Sequence, residues 1–336
     1  MEDPTFLDET VANYDVFFTA EMHWRKENNP RKMAMVNYLA GKNSIDVIVV
    51  ERSYVFGHWI NHYLESGDSL LLKEFLEIDN FFSTRNGVVQ EDEYMFYTWL
   101  RKFNQKNGLE IRVVGIDLAA FWHGKPQLWS FLKFMELDTS LAELYSSKIP
   151  LTQGLLDKNT VSVRSMRQWF EEVKEISAQE DATASNFHFF LLNLEQSIPW
   201  IKAKDLNYRE SQIARNFLQY IQAGEKVYGQ YGLSHIALEN GERIGFDTFA
   251  SVLNKTERYM NKILSIGLVC IGCDPDSKKD KGDFPGPDIF HHFLTQADFD
   301  RLKPDFLKLP PNTFVDFRGS DEEIQKYSQL VLVEFD

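Results

Sequence analysis

The residues Ile45-Asp46-Val47-Ile48-Val49-Val50 form an almost continuous apolar run, and Glu51 follows it directly. Such a run is typical of a strand in a parallel sheet, because helices cover both faces of that kind of sheet. Other β-rich runs occur at 14–20, 111–116, 226–231, 263–271 and 331–333, with helical patterns between them. This alternation predicts an α/β fold with a mostly parallel central sheet flanked by helices.

Helical spacing fills the segments 30–40, 56–66, 91–105 and 208–223. The first two end next to Gly41 and Gly67, and glycine is the usual residue just after a helix. The long segment 121–205 has helical patterns and no convincing strand. We therefore predict a single α/β domain over residues 1–336, with a helical insertion at 121–205 that caps the sheet.

The composition excludes several classes of protein. The formal net charge of −14 and the lack of a basic block argue against nucleic acid as a partner. Cys270 and Cys273 are the only cysteines, too few for a disulfide framework or a four-thiolate zinc site. A redox pair or half of a zinc site remains an alternative, but their place at the end of an apolar run favours ordinary core residues.

The sequence contains no stretch long and apolar enough for a transmembrane segment. It opens on acidic residues, and its first apolar run is too short for the core of a signal peptide. We predict a soluble protein. The sequence does not determine its compartment, and export with a signal peptide removed from this chain is one alternative. The sequence does not determine its oligomeric state either.

Ionisable residues follow four of the predicted strands. In an open parallel sheet, ligands bind outside the carboxyl ends of the strands, so these side chains are expected at one edge. One acid or histidine in such a place is often only a helix cap or a structural residue. Their coincidence after four strands favours a functional site, made of Glu21, His23, Glu51, Asp117 and His235.

Two kinds of chemistry suit this set of residues. Histidine with carboxylates is a common ligand set for a catalytic divalent metal such as Mn²⁺, Co²⁺ or Zn²⁺, with His23, His235, Glu21 and Glu51 as candidate ligands. Without a metal, His23 could act as the general base, oriented by Glu21 or Glu51. Both versions predict hydrolysis of a small-molecule or peptide substrate.

The predicted helix that begins near Tyr208 adds a cationic group. Arg209, Ile213 and Asn216 share one face of it by their spacing. An arginine and an asparagine on one face could bind a carboxylate or a polarised carbonyl. The alternative is an exposed Arg209 that pairs with a nearby acid such as Asp205.

Five motifs, in this order, resemble those of the erythromycin esterase, ChaN, TraB and Tiki superfamily. They are Ala20-Glu21-Met22-His23, the stretch 47–68 (VIVVERSYVFGHWINHYLESGD), Gly115-Ile116-Asp117, the stretch 208–216 (YRESQIARN) and Gly232-Leu233-Ser234-His235. The resemblance implies an α/β fold and a core site of Glu21, His23, Glu51 and His235, assisted by Arg209. We add Arg25, Asp117, Glu210 and Asn216 as candidate substrate-binding residues.

Three residues depart from the superfamily's pattern. Ala20 replaces its usual glycine, Trp24 follows the histidine where esterases often carry glycine, and Gly232 stands where macrolide esterases carry a histidine. The last departure argues against a macrolide substrate and brings the chain closer to the Tiki and TraB pattern. The resemblance thus implies a hydrolase of ester or amide bonds.

Other functions remain open alternatives. The ChaN branch of the superfamily implies a protein that binds haem or another ligand, and a third possibility is an inactive domain kept for interaction. His58 and His62 have the spacing of a metal pair on a helix, but their aromatic neighbours favour a packing or surface role. We expect His291 and His292 to flank an apolar contact.

Overall fold

A computed structural model describes residues 7–8, 11–21, 28–79, 88–119, 124–177, 186–232, 234–238, 245–271, 296–309, 313–316 and 330–335. Its strands are β1 Val16–Glu21, β2 Val47–Ser53, β3 Arg112–Asp117, β4 Val227–Gly232, β5 Ile263–Ile271, β6 Thr313–Asp316 and β7 Leu330–Phe335. Its helices are α1 Asn28–Gly41, α2 Tyr54–Ser66, α3 Ser69–Ile78, α4 Val88–Asn107, α5 Lys125–Leu137, α6 Thr139–Leu144, α7 Ile149–Leu156, α8 Val163–Ser177, α9 Asn186–Ala203, α10 Leu206–Tyr220, α11 Phe249–Asn254 and α12 Gln296–Phe306.

The chain divides into two compact units. The first consists of Met1–Val49 and Ile213–Asp336, and the second of Val50–Gln212. Both boundaries fall inside elements, since β2 and α10 each run from one unit into the other. The second unit therefore contains the end of β2, the strand β3 and the helices α2 to α9.

The first unit contains most of the sheet, with strands in the order β2-β4-β1-β5-β7-β6. β1 is parallel to β4 on one side and to β5 on the other, and β5 is parallel to β7. β6 runs antiparallel to β7. The predicted α/β fold with a mostly parallel sheet is confirmed. The sequence interpretation missed β6, because a strand of four residues carries too little periodicity to be recognised.

Aromatic packing closes the interior of the first unit. Phe18 is completely buried and makes edge contacts with Phe217, Tyr231 and Phe249. Such contacts add to the free energy gained by burying the rings. Three of the chain's 27 phenylalanines, Phe18, Phe217 and Phe249, are accordingly used for packing.

In the second unit β3 lies next to the end of β2, and α2 packs closely over β3. Two glycines make this approach possible. A Cβ atom on Gly115 would lie 1.9 Å from the carbonyl oxygen of Ser53, and one on Gly57 would lie 2.6 Å from the backbone nitrogen of Gly115. Neither space accommodates a side chain, so the sequence keeps glycine where helix and strands meet.

The predicted helical segment 121–205 consists of α5 to α9 in its described part. Its interior is aromatic. Phe131 on α5 contacts Trp169 on α8, and both Phe131 and Phe134 on α5 contact Phe187 on α9. None of the helices in the described part of the chain combines the length and apolar character needed to cross a bilayer.

Candidate functional site

Three of the predicted site residues meet in the second unit. Glu51 lies near the end of β2, Asp117 ends β3, and Arg209 lies in the first turn of α10. The Nε and Nη2 atoms of Arg209 donate to the two oxygens of Asp117 at 3.1 and 2.5 Å, and Nη2 also donates to Glu51 Oε1 at 2.9 Å. We call Glu51, Asp117 and Arg209 the arginine cluster.

The arginine cluster is largely removed from solvent. The exposed fractions are 17% for the Arg209 side chain, 18% for Glu51 and 11% for Asp117. Burial alone would lower the pKa of Arg209, but the charges of Asp117 and Glu51 outweigh it and hold that pKa well above its ordinary value. The guanidinium is thus a fixed, permanently charged group, held by a bidentate carboxylate in the geometry that arginine favours.

One edge of this guanidinium is not used by the described residues. Nη1 of Arg209 makes no hydrogen bond within that part of the chain, while the guanidinium carbon lies 5.9 Å from the ring centre of Trp200. The alternative partner, Asp205, caps α10 by accepting from Asn207 N at 3.0 Å. Arg209 therefore pairs, through Nε and Nη2, with acids from two strands.

Helix α9 supports the strand ends that carry the acids. Asn193 Nδ2 donates to the carbonyl oxygen of Asp117 at 2.9 Å, and Asn193 Oδ1 accepts from Tyr54 N at 3.4 Å. Ser197 Oγ accepts from Ala119 N at 2.8 Å. The sequence analysis missed these residues. The only sequence pattern that could have indicated them is the spacing of four between Asn193 and Ser197, which places both on one face of the helix. This spacing does not reveal which residues they bind.

Gln196 lies on the same side of α9 as Asn193 and Ser197, by helical spacing. It is 6% exposed, and neither polar atom of its amide has a hydrogen-bond partner among the described residues. A buried amide without partners costs stability. Gln196→Met is therefore expected to raise the free energy of unfolding by about 1 kcal/mol, measured by urea denaturation.

Ser197→Ala is the matched comparison for Gln196→Met. The Ser197 hydroxyl is fully buried and uses both an acceptor and a donor, because it also donates to Asn193 O at 2.6 Å. Its removal should lower the free energy of unfolding by about 1–3 kcal/mol, since Ala119 N would lose its acceptor. A lower stability for both variants would contradict the interpretation of Gln196.

A second charged group lies on the other side of β2. Successive side chains of a strand point to opposite faces, so Arg52 points away from Glu51. Its Nη2 donates to Glu93 Oε1 at 2.8 Å, and its Nε lies 3.9 Å from Asp79 Oδ2. Burial raises the pKa of Asp79 to about 7, against the opposing charge of Arg52 and with a further contribution from Glu93.

The raised pKa of Asp79 predicts a pH-dependent stability. In the folded protein the Asp79 carboxyl keeps its proton up to about pH 7, whereas its pKa in the unfolded chain is 3.8. The stabilisation from this proton is complete below the unfolded value and is lost as the pH rises through 7. Relative to wild type, Asp79→Asn should gain stability between pH 4 and pH 8, by a few kcal/mol at about 1.4 kcal/mol per unit. Urea denaturation across this range measures the difference, and a constant difference would contradict the assignment.

The first unit contains two more of the predicted residues. Glu21 is the last residue of β1 and lies opposite Gly232, the last residue of β4. His235 follows three residues later in a turn in which its N–H donates to Gly232 O at 3.0 Å, and it is 7% exposed. Glu21 thus ends β1, and His235 follows the end of the neighbouring parallel strand β4.

The turn that contains His235 is held by its neighbours in the first unit. Ala250 N donates to His235 O at 3.4 Å, Ser265 Oγ donates to Ile236 O at 2.7 Å and Thr248 Oγ1 donates to Ala237 O at 2.5 Å. The negative charge of Glu21 also acts on Tyr228, whose pKa is raised mainly by burial. Hydrogen bonds from three different segments therefore hold the turn at residues 235–237.

Other candidate residues have different surroundings. Glu210 and Asn216 are fully buried. His23 and Arg25 lie outside the described residues, as do Trp24, His291 and His292. His58 stacks on Phe134 at 4.8 Å, and burial, with the nearby His62, lowers its pKa to about 4. A neutral imidazole between rings agrees with the packing role expected for His58.

The described residues do not by themselves supply a metal-ligand set. No group of three or more His, Cys, Asp and Glu side chains within them is arranged to hold a metal ion. Glu51, one of the predicted ligands, instead accepts a hydrogen bond from Arg209. His23 lies outside this part of the chain, so a divalent metal remains a proposal.

The fold is similar to that of three solved proteins. A Bacillus cereus protein is 15% identical, with a TM-score of 0.64 over 98% of this chain and 90% of its own. A mutant of the erythromycin esterase EreC in its open conformation is 11% identical, with a TM-score of 0.62 over 98% and 92%. A succinoglycan biosynthesis protein is 14% identical, with a TM-score of 0.62 over 99% and 91%.

Sequence comparison alone finds no such relationship. No protein-family model matches the chain, and no curated protein matches it. The similarity therefore lies in the arrangement of strands and helices, over nearly the whole length of each chain. The chain thus shares its fold with an erythromycin esterase, in agreement with the fold that its motifs predicted.

Proposed function

We propose that this protein is a hydrolase of ester or amide bonds, and that Arg209 binds the carbonyl group under attack. The observation that carries the proposal is the arginine cluster. Asp117 and Glu51 hold the guanidinium through Nε and Nη2, and Nη1 makes no hydrogen bond within the described part of the chain. A donor fixed in advance, in surroundings largely removed from water, is what stabilises the oxyanion of acyl transfer.

The electrostatics of the arginine cluster favour some substrates over others. The negative charges of Asp117, Glu51 and Glu210 all act on the guanidinium, so a further full negative charge is disfavoured near it. A neutral carbonyl of an ester or amide lacks this penalty and gains a hydrogen bond as negative charge develops on its oxygen. This supports acyl transfer over the binding of a phosphate or other polyanion.

The proposed reaction uses His23 as the general base. His23 takes a proton from a water molecule as the water oxygen attacks the carbonyl carbon, and negative charge develops on the carbonyl oxygen. The bond to the leaving alcohol or amine then breaks, and His23 returns the proton to it. The roles of His23, Glu21 and His235 rest on the superfamily resemblance, in which these residues form the core site.

A divalent ion is the second version of the proposal. Mn²⁺, Co²⁺ or Zn²⁺, held by His23 and His235 with Glu21, would polarise the carbonyl and lower the pKa of bound water. Elemental analysis of protein purified without added metal separates the two versions. A stoichiometric metal supports the second, and full activity in metal-free protein contradicts it.

The test of the proposed function is a panel of activated esters, lactones and peptides, with and without each metal. We expect hydrolysis of at least one substrate class, with rates proportional to protein concentration. A haem titration runs in parallel, because a Soret band from the protein together with an inactive panel would favour the ligand-binding alternative. Inactivity on the whole panel with no bound haem would favour an interaction domain.

A further inference from the structure

The strand ends that carry Glu51 and Asp117 are joined by one amide from another part of the chain. Glu51 lies three residues before Tyr54, the first residue of α2, and Asp117 ends β3. Asn193 on α9 bonds to both ends, through Nδ2 to Asp117 O and through Oδ1 to Tyr54 N. It is 2% exposed, so water does not compete for these bonds.

Asn193 supplies a bond that α2 does not obtain locally. The residue before α2, Ser53, makes no side-chain capping bond, although serine is among the usual capping residues. The N–H groups of the first turn of a helix need acceptors from outside it. Asn193 provides one for Tyr54 and uses its other end on the strand that carries Asp117.

The orientation of the Asn193 amide is determined by its partners. Asp117 O can only accept and Tyr54 N can only donate, so only one arrangement of the amide satisfies both. Ser197, one turn further along α9, adds a bond to Ala119 N and also donates to Asn193 O. The two residues form a rigid support behind the arginine cluster.

We propose that Asn193 is a positioning residue, which fixes the distance between Glu51 and Asp117 and thereby the orientation of the Arg209 guanidinium. Arg209 bonds to both acids through the same Nη2 atom, so its geometry depends on their separation. If that separation changes, Arg209 can keep one acid but not both. The consequence for catalysis rests on the proposed function, whereas the positioning itself does not.

The test measures Arg209 directly, by NMR of protein with ¹⁵N-labelled arginine. The Nε–H group of Arg209 donates to Asp117 Oδ1 at 3.1 Å, so its proton should exchange slowly with water. Arg209→Lys identifies this signal by its disappearance. Asn193→Asp keeps an acceptor for Tyr54 N but places a second acceptor against Asp117 O, and Asn193→Leu removes both bonds.

We expect the Nε–H signal of Arg209 to shift in both Asn193 variants and its proton to exchange at least tenfold faster than in wild type. Thr152→Val is the matched control. Thr152 is fully buried in the same unit and accepts from Trp169 Nε1 at 2.8 Å, so its loss lowers stability without touching the arginine cluster. The Arg209 signal should remain unchanged in Thr152→Val.

Unchanged position and exchange of this signal in folded Asn193→Leu would overturn the proposal. If the Arg209 Nε–H proton exchanged no faster in the Asn193 variants than in Thr152→Val, Asn193 would have only a general structural role. That result would also overturn the proposal. If Asn193→Leu does not fold, the position and exchange rate of the Arg209 signal in Asn193→Asp test the proposal instead. Absence of hydrolysis would count against the proposed function only, because the NMR signal reports on geometry in the unliganded protein.

Discussion

Gly115→Ala is expected to lower the free energy of unfolding by about 3 kcal/mol or more, at the upper end of the effect of overpacking. The new Cβ atom would lie 1.9 Å from the carbonyl oxygen of Ser53 and 2.8 Å from that of Arg52. Both are backbone atoms, so no side chain can rotate away and β2 and β3 must separate. Urea denaturation followed by circular dichroism measures the loss.

Gly154→Ala is the control for Gly115→Ala. Gly154 lies within α7, and apart from its chain neighbours and the backbone of its own helix no atom comes within 4 Å of a Cβ placed there. Because alanine favours the helix over glycine, this variant should be equal to wild type or more stable by up to about 1 kcal/mol. Equal stability of the two variants would mean that β2 and β3 are not as close as described.

Arg209→Leu is expected to remove hydrolytic activity and much of the stability. Asp117 would remain largely buried without the counter-charge of Arg209, which costs about 3 kcal/mol or more. Activity should fall at least about 100-fold, as for the loss of one oxyanion donor. Urea denaturation measures the loss of stability, and rates on a substrate from the panel measure the loss of activity.

Two further variants separate the charge of Arg209 from its geometry. Arg209→Lys keeps the charge but cannot donate through two nitrogens to one carboxylate, so it should recover stability in part and activity hardly at all. Lys308→Ala breaks an exposed pair with Asp305, at 2.7 Å, and should change neither. Normal activity of Arg209→Leu would exclude Arg209 from the reaction.

The sequence predicted the fold well because buried parallel strands leave a strong local signal. The run ending at Val50 and the glycine after α2 were recognised from short stretches alone, and Gly67 has the positive φ of 75° that such a position requires. β6 was not predicted because a strand of four residues is too short to show an alternating pattern of apolar and polar residues. The structural similarity to an erythromycin esterase extends over nearly the whole chain, although only 11% of residues are identical.

The chemistry of the second unit was only partly predictable. Glu51 and Asp117 were found because strand ends converge at one edge of a sheet, and Arg209 because of its helical spacing and a motif. Their mutual hydrogen bonds were not foreseen. Asn193 was missed because its partners lie 76 and 139 residues away along the chain, a separation at which no local pattern reports a contact.

The most direct test of the proposed hydrolase is the rate at which His23→Ala cleaves a substrate of the wild-type protein. Loss of the base that activates water should reduce this rate at least about 100-fold while the protein stays folded. A rate equal to wild type in folded His23→Ala would contradict the proposed chemistry, whatever the arginine cluster does.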